Sequence, residues 1–464
     1  MTKLHYPTLD LFLYDLREGL GQTPAEIDQN RRRFQQKLPE INAEDFNQRD
    51  EQFFEPEFVQ LFGEQRWHDF ESETHDGYYY PVRIADTYGL LLDCSLKNLQ
   101  LDADLQWLKD LQAYVNVKVD KQAGTLGQTW MFSAKLPNVP LNKHEALAKQ
   151  CYEALMPGAN YAANKIGHND FFGGSLFELW QYTSPKSANK QLSDCMSVDE
   201  KENHHVIIIF YPNKAAAKKA ASSLYLDWLR LLMYRHKMMW AYRQSRCLKQ
   251  LLKQDFIEIQ ACIKKVSESS TPHLNFKALQ ETLRKMWEVF PRYTTKVGWL
   301  EAQCRTLEIN LGNYQKRLAT VAEKSGQTTL ILENFAEIVR SKYSLQMQKD
   351  HAYFQQGSKL LDDSVRYIQA MVAIEEEKRE RAFQGTIATW GIGLAAGAIV
   401  ASVSGHFPTV VENVALQNPI GSWLLERLFI PQAWLAPSIS LVLSIGAAVV
   451  AGLVTKIVIW LRRR

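Results

Sequence analysis

A chain of 464 residues is long enough for two or three domains, and 46% hydrophobic with 11% aromatic residues excludes both a disulfide-stapled miniature fold and wholesale disorder. The net charge of +3 conceals an uneven spread: residues 1–110 hold 22 Asp/Glu against 11 Lys/Arg, and the rest hold 29 against 43. An acidic front and a basic remainder assign different work to the two parts. The six cysteines (94, 151, 195, 247, 262 and 304) form no C-x-x-C pair and no zinc-type cluster, which fits a reducing compartment.

Residues 1–212 alternate helix and strand signals and are read as a cytosolic α/β domain with a mixed sheet. Leu9, Phe12, Leu13, Leu16 and Leu20 make a helical stripe, capped by Thr8. Asp10, Asp15, Arg17 and Glu18 interrupt it, so it is no secretory segment. A second helix covers Ala25–Leu38. Strands are expected at Tyr78–Ile84, Tyr88–Cys94, Ala113–Val119, Thr129–Leu136, Leu176–Tyr182 and His205–Tyr211, with a helix at Leu141–Met156. The domain has no phosphate-binding G-x-x-x-x-G-K-[ST] loop, no G-x-S-x-G elbow and no H-E-x-x-H, so nothing points to an enzyme. Glu200, Glu202, His204 and His205 crowd together as metal-ligand types, yet neighbouring strand residues point to opposite faces. His168, Asp170, Gly173 and Gly174 read as a turn or a ligand loop.

Residues 213–381 read as a stalk of long, antiparallel, coiled-coil-like helices. Asn213–Ser267 lacks Pro and Gly and would make a helix of about 80 Å. Its segment Lys214–Lys253 is strongly basic. The basic residues form a solvated face, dock on the acidic front, or bind an anion such as a nucleotide phosphate, with Arg230, Arg235, Lys237, Arg243 and Arg246 as candidates. No nucleic-acid partner is expected, since no recognised fold signature accompanies the charge. After Pro291, the positions Leu300, Cys304, Leu307, Leu311, Tyr314, Leu318 and Val321 keep heptad spacing. A third helix starts near Thr328, with Gly357 as its weak point.

Two uncharged runs, about 382–405 and 437–461, are each long enough to span a bilayer and form an expected two-helix transmembrane hairpin in 382–464. Lys378, Arg379 and Arg381 before the first and Arg462–Arg464 after the second place both termini in the cytoplasm of a multi-pass inner-membrane protein. Gly393, Gly397, Ala401 and Gly405 in the first run fall four apart. Ser440, Ser444, Ala448 and Gly452 do the same in the second. Such faces pack helices in lipid and suggest a homo-oligomer. A water-filled path would use Thr386, Thr389, Ser402 and Ser404.

This order of elements resembles the CorA-type magnesium and cation channel family, as a divergent member in which Ser404-Gly405-His406-Phe407 stands where the family has Gly-Met-Asn. The resemblance implies a homopentamer in the bilayer, a gated channel, and a stalk coupling the head to a pore lined by Thr386, Thr389, Gly393, Gly397, Val400 and Ser404, with a divalent cation as possible cargo. The alternatives are a membrane-anchored sensor or effector answering a small anionic nucleotide, as in nucleotide-signalling antiviral defence, and a structural tether.

Overall fold

The computed structural model describes residues 4–376 apart from 20, 40–42, 53–57, 64–65, 98–99, 102–104, 138, 184–202, 269–275 and 329. The chain divides into two compact units, Met1–Lys264 with Arg284–Leu360, and Lys265–Leu283 with Leu361–Arg464. The sheet and the site lie in the first.

Ten strands build one mixed sheet: β1 (Leu4–Leu16), β2 (Phe58–Gln60), β3 (His68–Glu71), β4 (His75–Ile84), β5 (Thr87–Leu96), β6 (Gln100–Leu101), β7 (Gly127–Lys135), β8 (Lys165–Phe171), β9 (Gly174–Gln181) and β10 (His204–Tyr211). Their order is β2-β4-β5-β1-β7-β10-β9-β8, with β3 beside β4 and β6 beside β1. Among the described residues, only the β7–β10 pairing is parallel. The helices are α1 (Pro24–Gln35), α2 (Ala43–Gln52), α3 (Gln106–Lys118), α4 (His144–Leu155), α5 (Tyr161–Asn164), α6 (Lys214–Glu268) and α7 (Phe276–Ser325). A last helix, α8, runs through Glu333–Ile338, a π turn Val339–Ser344 and Leu345–Glu376.

Strand alternation sorts the sheet residues onto two faces. Leu9, Leu11 and Leu13 of β1, with Leu90 and Leu92 of β5 and Ile208 of β10, face α1 to α4 and pack on Phe34, Leu108, Leu111 and Cys151. Phe12, Tyr14, Met131 and Ile207 face the other way, onto Leu224, Trp228 and Leu232 of α6. The Tyr14 hydroxyl donates to the Leu229 carbonyl at 2.7 Å and fixes α6 on that face.

Ion pairs set the helix directions. Asp227 early in α6 meets Arg317 and Lys324 late in α7, whereas Asp255 late in α6 meets Arg292 and Lys296 early in α7. The two helices are therefore antiparallel. The heptad positions Leu300, Leu307, Leu311, Tyr314, Leu318 and Val321 are all buried. Gly357 is a close approach rather than a weak point, because a side chain there would collide with the Tyr293 hydroxyl.

Several expectations change. Leu9–Leu20 is not a helix: Leu4–Leu16 is the central strand, buried on both faces, so its apolar run mimics helical spacing. Ala113–Val119 is not a strand but the end of α3, where Leu108, Leu111, Val115 and Val119 fall on one buried face. Helix α7 begins at Phe276 and continues through Pro291. Cys247 lies in a disulfide, while Cys94, Cys151, Cys262 and Cys304 are free thiols.

The expected class is also corrected. The α/β domain with a mixed sheet and the long helices are present, but no helix among the described residues is long and apolar enough to cross a membrane. The physical reason is visible in α6 to α8, whose outward faces carry charges throughout. Both expected spans lie outside the described residues, and so do the pore-lining and helix-packing candidates Thr386, Thr389, Gly393, Gly397, Val400, Ala401, Ser404, Gly405, Ser444, Ala448 and Gly452. The membrane, transmembrane and channel assignments are not carried further.

Candidate functional site

The α6-facing side of the sheet carries a pair of carboxylates. Asp10 of β1 and Asp93 of β5 are direct register partners in an antiparallel ladder, so their side chains stand together on that side. Like charges at this spacing repel, and burial makes the repulsion worse. Burial, then the neighbouring Asp93 charge, holds the Asp10 carboxyl well above the usual carboxylate range. Burial likewise pushes Asp93 up to about 6; its hydrogen bond with Asp10 opposes the rise and the charge of Asp76 adds to it. Both shifts run the same way, so the pair holds a proton to higher pH than free aspartates do, and when singly protonated it can both donate and accept a hydrogen bond.

This pair lies in the wall of a cavity of about 310 Å³. Thr8 and Ser133 add hydroxyls beside it, and Tyr78, Tyr211 and Tyr225 add aromatic wall. The opposite wall is the start of α6. Asn213 caps that helix by accepting from the Ala216 N–H at 2.9 Å. The small residues Ala217, Ala220 and Ala221 keep the space open. The first turn contains no acidic residue and instead brings Lys214, with Lys218 one turn later. Helix starts favour acidic side chains, so lysines there leave an electropositive end.

Lys135 from β7 joins them. Its ammonium lies 4.7 Å from the Tyr6 ring centre, and that of Lys214 lies 5.2 Å from the same ring. Tyr6 is partly exposed and has a φ of 51°, a left-handed conformation that costs a non-glycine residue about 1 kcal/mol or more. It sits in a β-bulge between His5 and Thr8, next to Pro7. Lys135, Lys214 and Lys218 take part in no ion pair among the described residues. The cavity is thus dipolar, with carboxyls on one wall and uncompensated lysines on the other.

The basic candidates read from the sequence are placed differently. Lys237 is buried and pairs with Asp86 at 2.7 Å, so this cation does dock on the acidic front. Arg246 pairs with Asp350 of α8 at 2.6 Å. Arg230 lies over the Phe58 ring. Arg235 is held between the Trp180 and Phe335 rings, and Arg243 donates to the Leu126 carbonyl at 2.7 Å. These five side chains do not converge on one surface.

His204 and His205 do point apart. His204 meets the Tyr152 hydroxyl at 2.6 Å on the α4 side, whereas His205 bonds Thr129 and Glu178 on the α6 side. Glu200 and Glu202 lie outside the described residues. His168 and Asp170 belong to β8, and the β8–β9 turn is Phe172-Gly173 with φ of 49° and 76°. Among the described residues no group of three or more His, Cys, Asp or Glu is placed to hold a metal ion. Asp10 and Asp93 escaped sequence reasoning because each is a lone acid in an apolar run. Such an acid inside a run that must be buried is the signal that was available.

No family model matches the chain, and no curated protein or solved structure matches it significantly.

Proposed function

We propose that the protein is a small-ligand sensor whose α/β domain binds a nucleotide-like anion in the cavity between the Asp10–Asp93 pair and the start of α6. One observation carries this reading: an unneutralised lysine cluster and a proton-sharing carboxylate pair face the same cavity. The lysines and the helix N-terminus suit a phosphate. The carboxyl pair suits the amino, imino or hydroxyl groups of a base or sugar, and the tyrosines suit its ring. A volume near 310 Å³ lies at the lower end of ligand cavities, about 300–1,000 Å³, and fits a single nucleotide rather than a polymer. Because one wall is the first two turns of a 55-residue helix, occupancy would be felt directly by that helix.

Titration calorimetry with nucleoside mono-, di- and triphosphates and cyclic nucleotides tests the reading. The expected result is micromolar binding to at least one, lost in Asp93→Asn and weakened in Lys214→Glu. Binding unchanged in both variants, or none to any phosphorylated nucleoside, would overturn it.

A further inference from the structure

A second, separate cavity lies under the middle of α6, and its charge is left open. Arg235 and Arg243 both line it, at 2% and 6% exposure, together with His204, His205, His236 and Trp180. Among the described residues no Asp or Glu lines it. The nearest acid, Glu178, already accepts a hydrogen bond from His205 at 3.1 Å, and its Oε1 lies 3.7 Å from Arg235 Nε, beyond a good hydrogen bond. Arg243 has only the neutral Leu126 carbonyl as a partner.

Unpartnered donors outnumber unpartnered acceptors here, where Glu178 Oε2 is a buried acceptor with no hydrogen-bond partner. Arg235 Nε and Nη2, Arg243 Nε and Trp180 Nε1 are all buried with no hydrogen-bond partner. Leaving one buried donor unpaired costs about 1–3 kcal/mol, and more for a charged group. Four such atoms around one cavity call for an occupant that only accepts. Burial pushes Arg243 down to about 10 and lowers Arg235 against the opposing charge of Glu178. The imidazoles of His205 and His236 are buried and held neutral by burial and by the arginines. The space is about 40 Å³, enough for a single-atom or small planar ion but not for a phosphate ester.

We infer that Arg235 and Arg243 hold a buried monovalent inorganic anion of halide size, bound between α6 and strands β9 and β10. The anion would complete the core rather than enter the Asp10–Asp93 cavity, so the two sites are independent.

The test uses the full chain, exchanged into sodium gluconate. Chloride, bromide, nitrate and sulfate are titrated at constant ionic strength while thermal unfolding is followed. The expected result is a saturable Tm rise of about 3–5 °C with chloride, bromide and nitrate, and none with sulfate. The conservative Arg243→Gln should abolish the saturable rise. Should that variant fail to fold, bromide anomalous scattering from wild-type crystals decides. A peak between the two guanidinium groups supports the site. A Tm that follows ionic strength alone, a shift retained in Arg243→Gln, or density for water only would overturn it.

Discussion

The two faces of one sheet treat charge in opposite ways. On the α1–α4 side, buried carboxylates are met by cations. Asp15 takes Lys37 at 2.6 Å and the Thr125 N–H, and both side chains are fully buried. Asp50 accepts from Arg17 at 2.9 Å and from the Tyr88 hydroxyl at 2.8 Å, with Arg31 and Arg83 each 3.7 Å away. On the α6 side, carboxylate faces carboxylate at Asp10–Asp93, Arg235 has Glu178 at 3.7 Å, and Arg243 is met only by the neutral Leu126 carbonyl. Compensated buried charge locks a fold in one arrangement. Uncompensated buried charge costs stability and leaves binding energy for something else. The proposed ligand site lies on the face where the carboxylate pair is left uncompensated.

The largest effect should come from breaking the compensated side. Asp50→Ala leaves Arg17, Arg31 and Arg83 together without their acid and should cost about 3–5 kcal/mol in urea unfolding. A loss below about 1 kcal/mol would erase the contrast.

The opposite sign is expected across the sheet. The folded Asp10–Asp93 pair keeps its proton to higher pH than an unfolded aspartate, whose pKa is about 3.9. Unfolding between about pH 4 and 6 therefore releases a proton, and stability falls as pH rises through that window. Asp93→Asn should remove this fall and stabilise the ligand-free protein at pH 7.5 by about 2 kcal/mol. Urea midpoints measured from pH 4 to 8 in both proteins check the sign.

Tyr6→Gly should gain about 1 kcal/mol by relieving the left-handed residue, while weakening ligand binding through loss of the ring between Lys135 and Lys214. Smallest in stability is Lys214→Glu, an exposed position, expected within about 0.5 kcal/mol of wild type. Its effect should appear in calorimetry, as roughly tenfold weaker binding of the phosphorylated ligand. A variant that changes stability and not binding would move the site elsewhere.

Much of the framework was legible in the residues. Five of the six expected strands, those around Tyr78, Tyr88, Thr129, Leu176 and His205, are strands, and α6 begins and ends within two residues of its expected bounds. The long helices were legible because Pro and Gly are scarce and heptad spacing is regular there. Leu9–Leu16 and Ala113–Val119 were not, because a strand buried on both faces and a short β-branched helix each imitate the other's pattern. The basic run in α6 could be seen, but not its destination. On a helix buried by sheet and helices, Lys237, Arg243 and Arg246 each turn toward a different inward partner.

What the sequence by itself determined was local: composition, charge asymmetry, helix length and the period of apolar residues, all properties of neighbours along the chain. What only the tertiary structure decided was juxtaposition. Asp10 meets Asp93 across 83 positions through the β1–β5 register, and Lys135 meets Lys214 because β7 ends beside the start of α6. Register and crossover carry no local signature, so a pair of unremarkable aspartates becomes a site only once the sheet has closed over them.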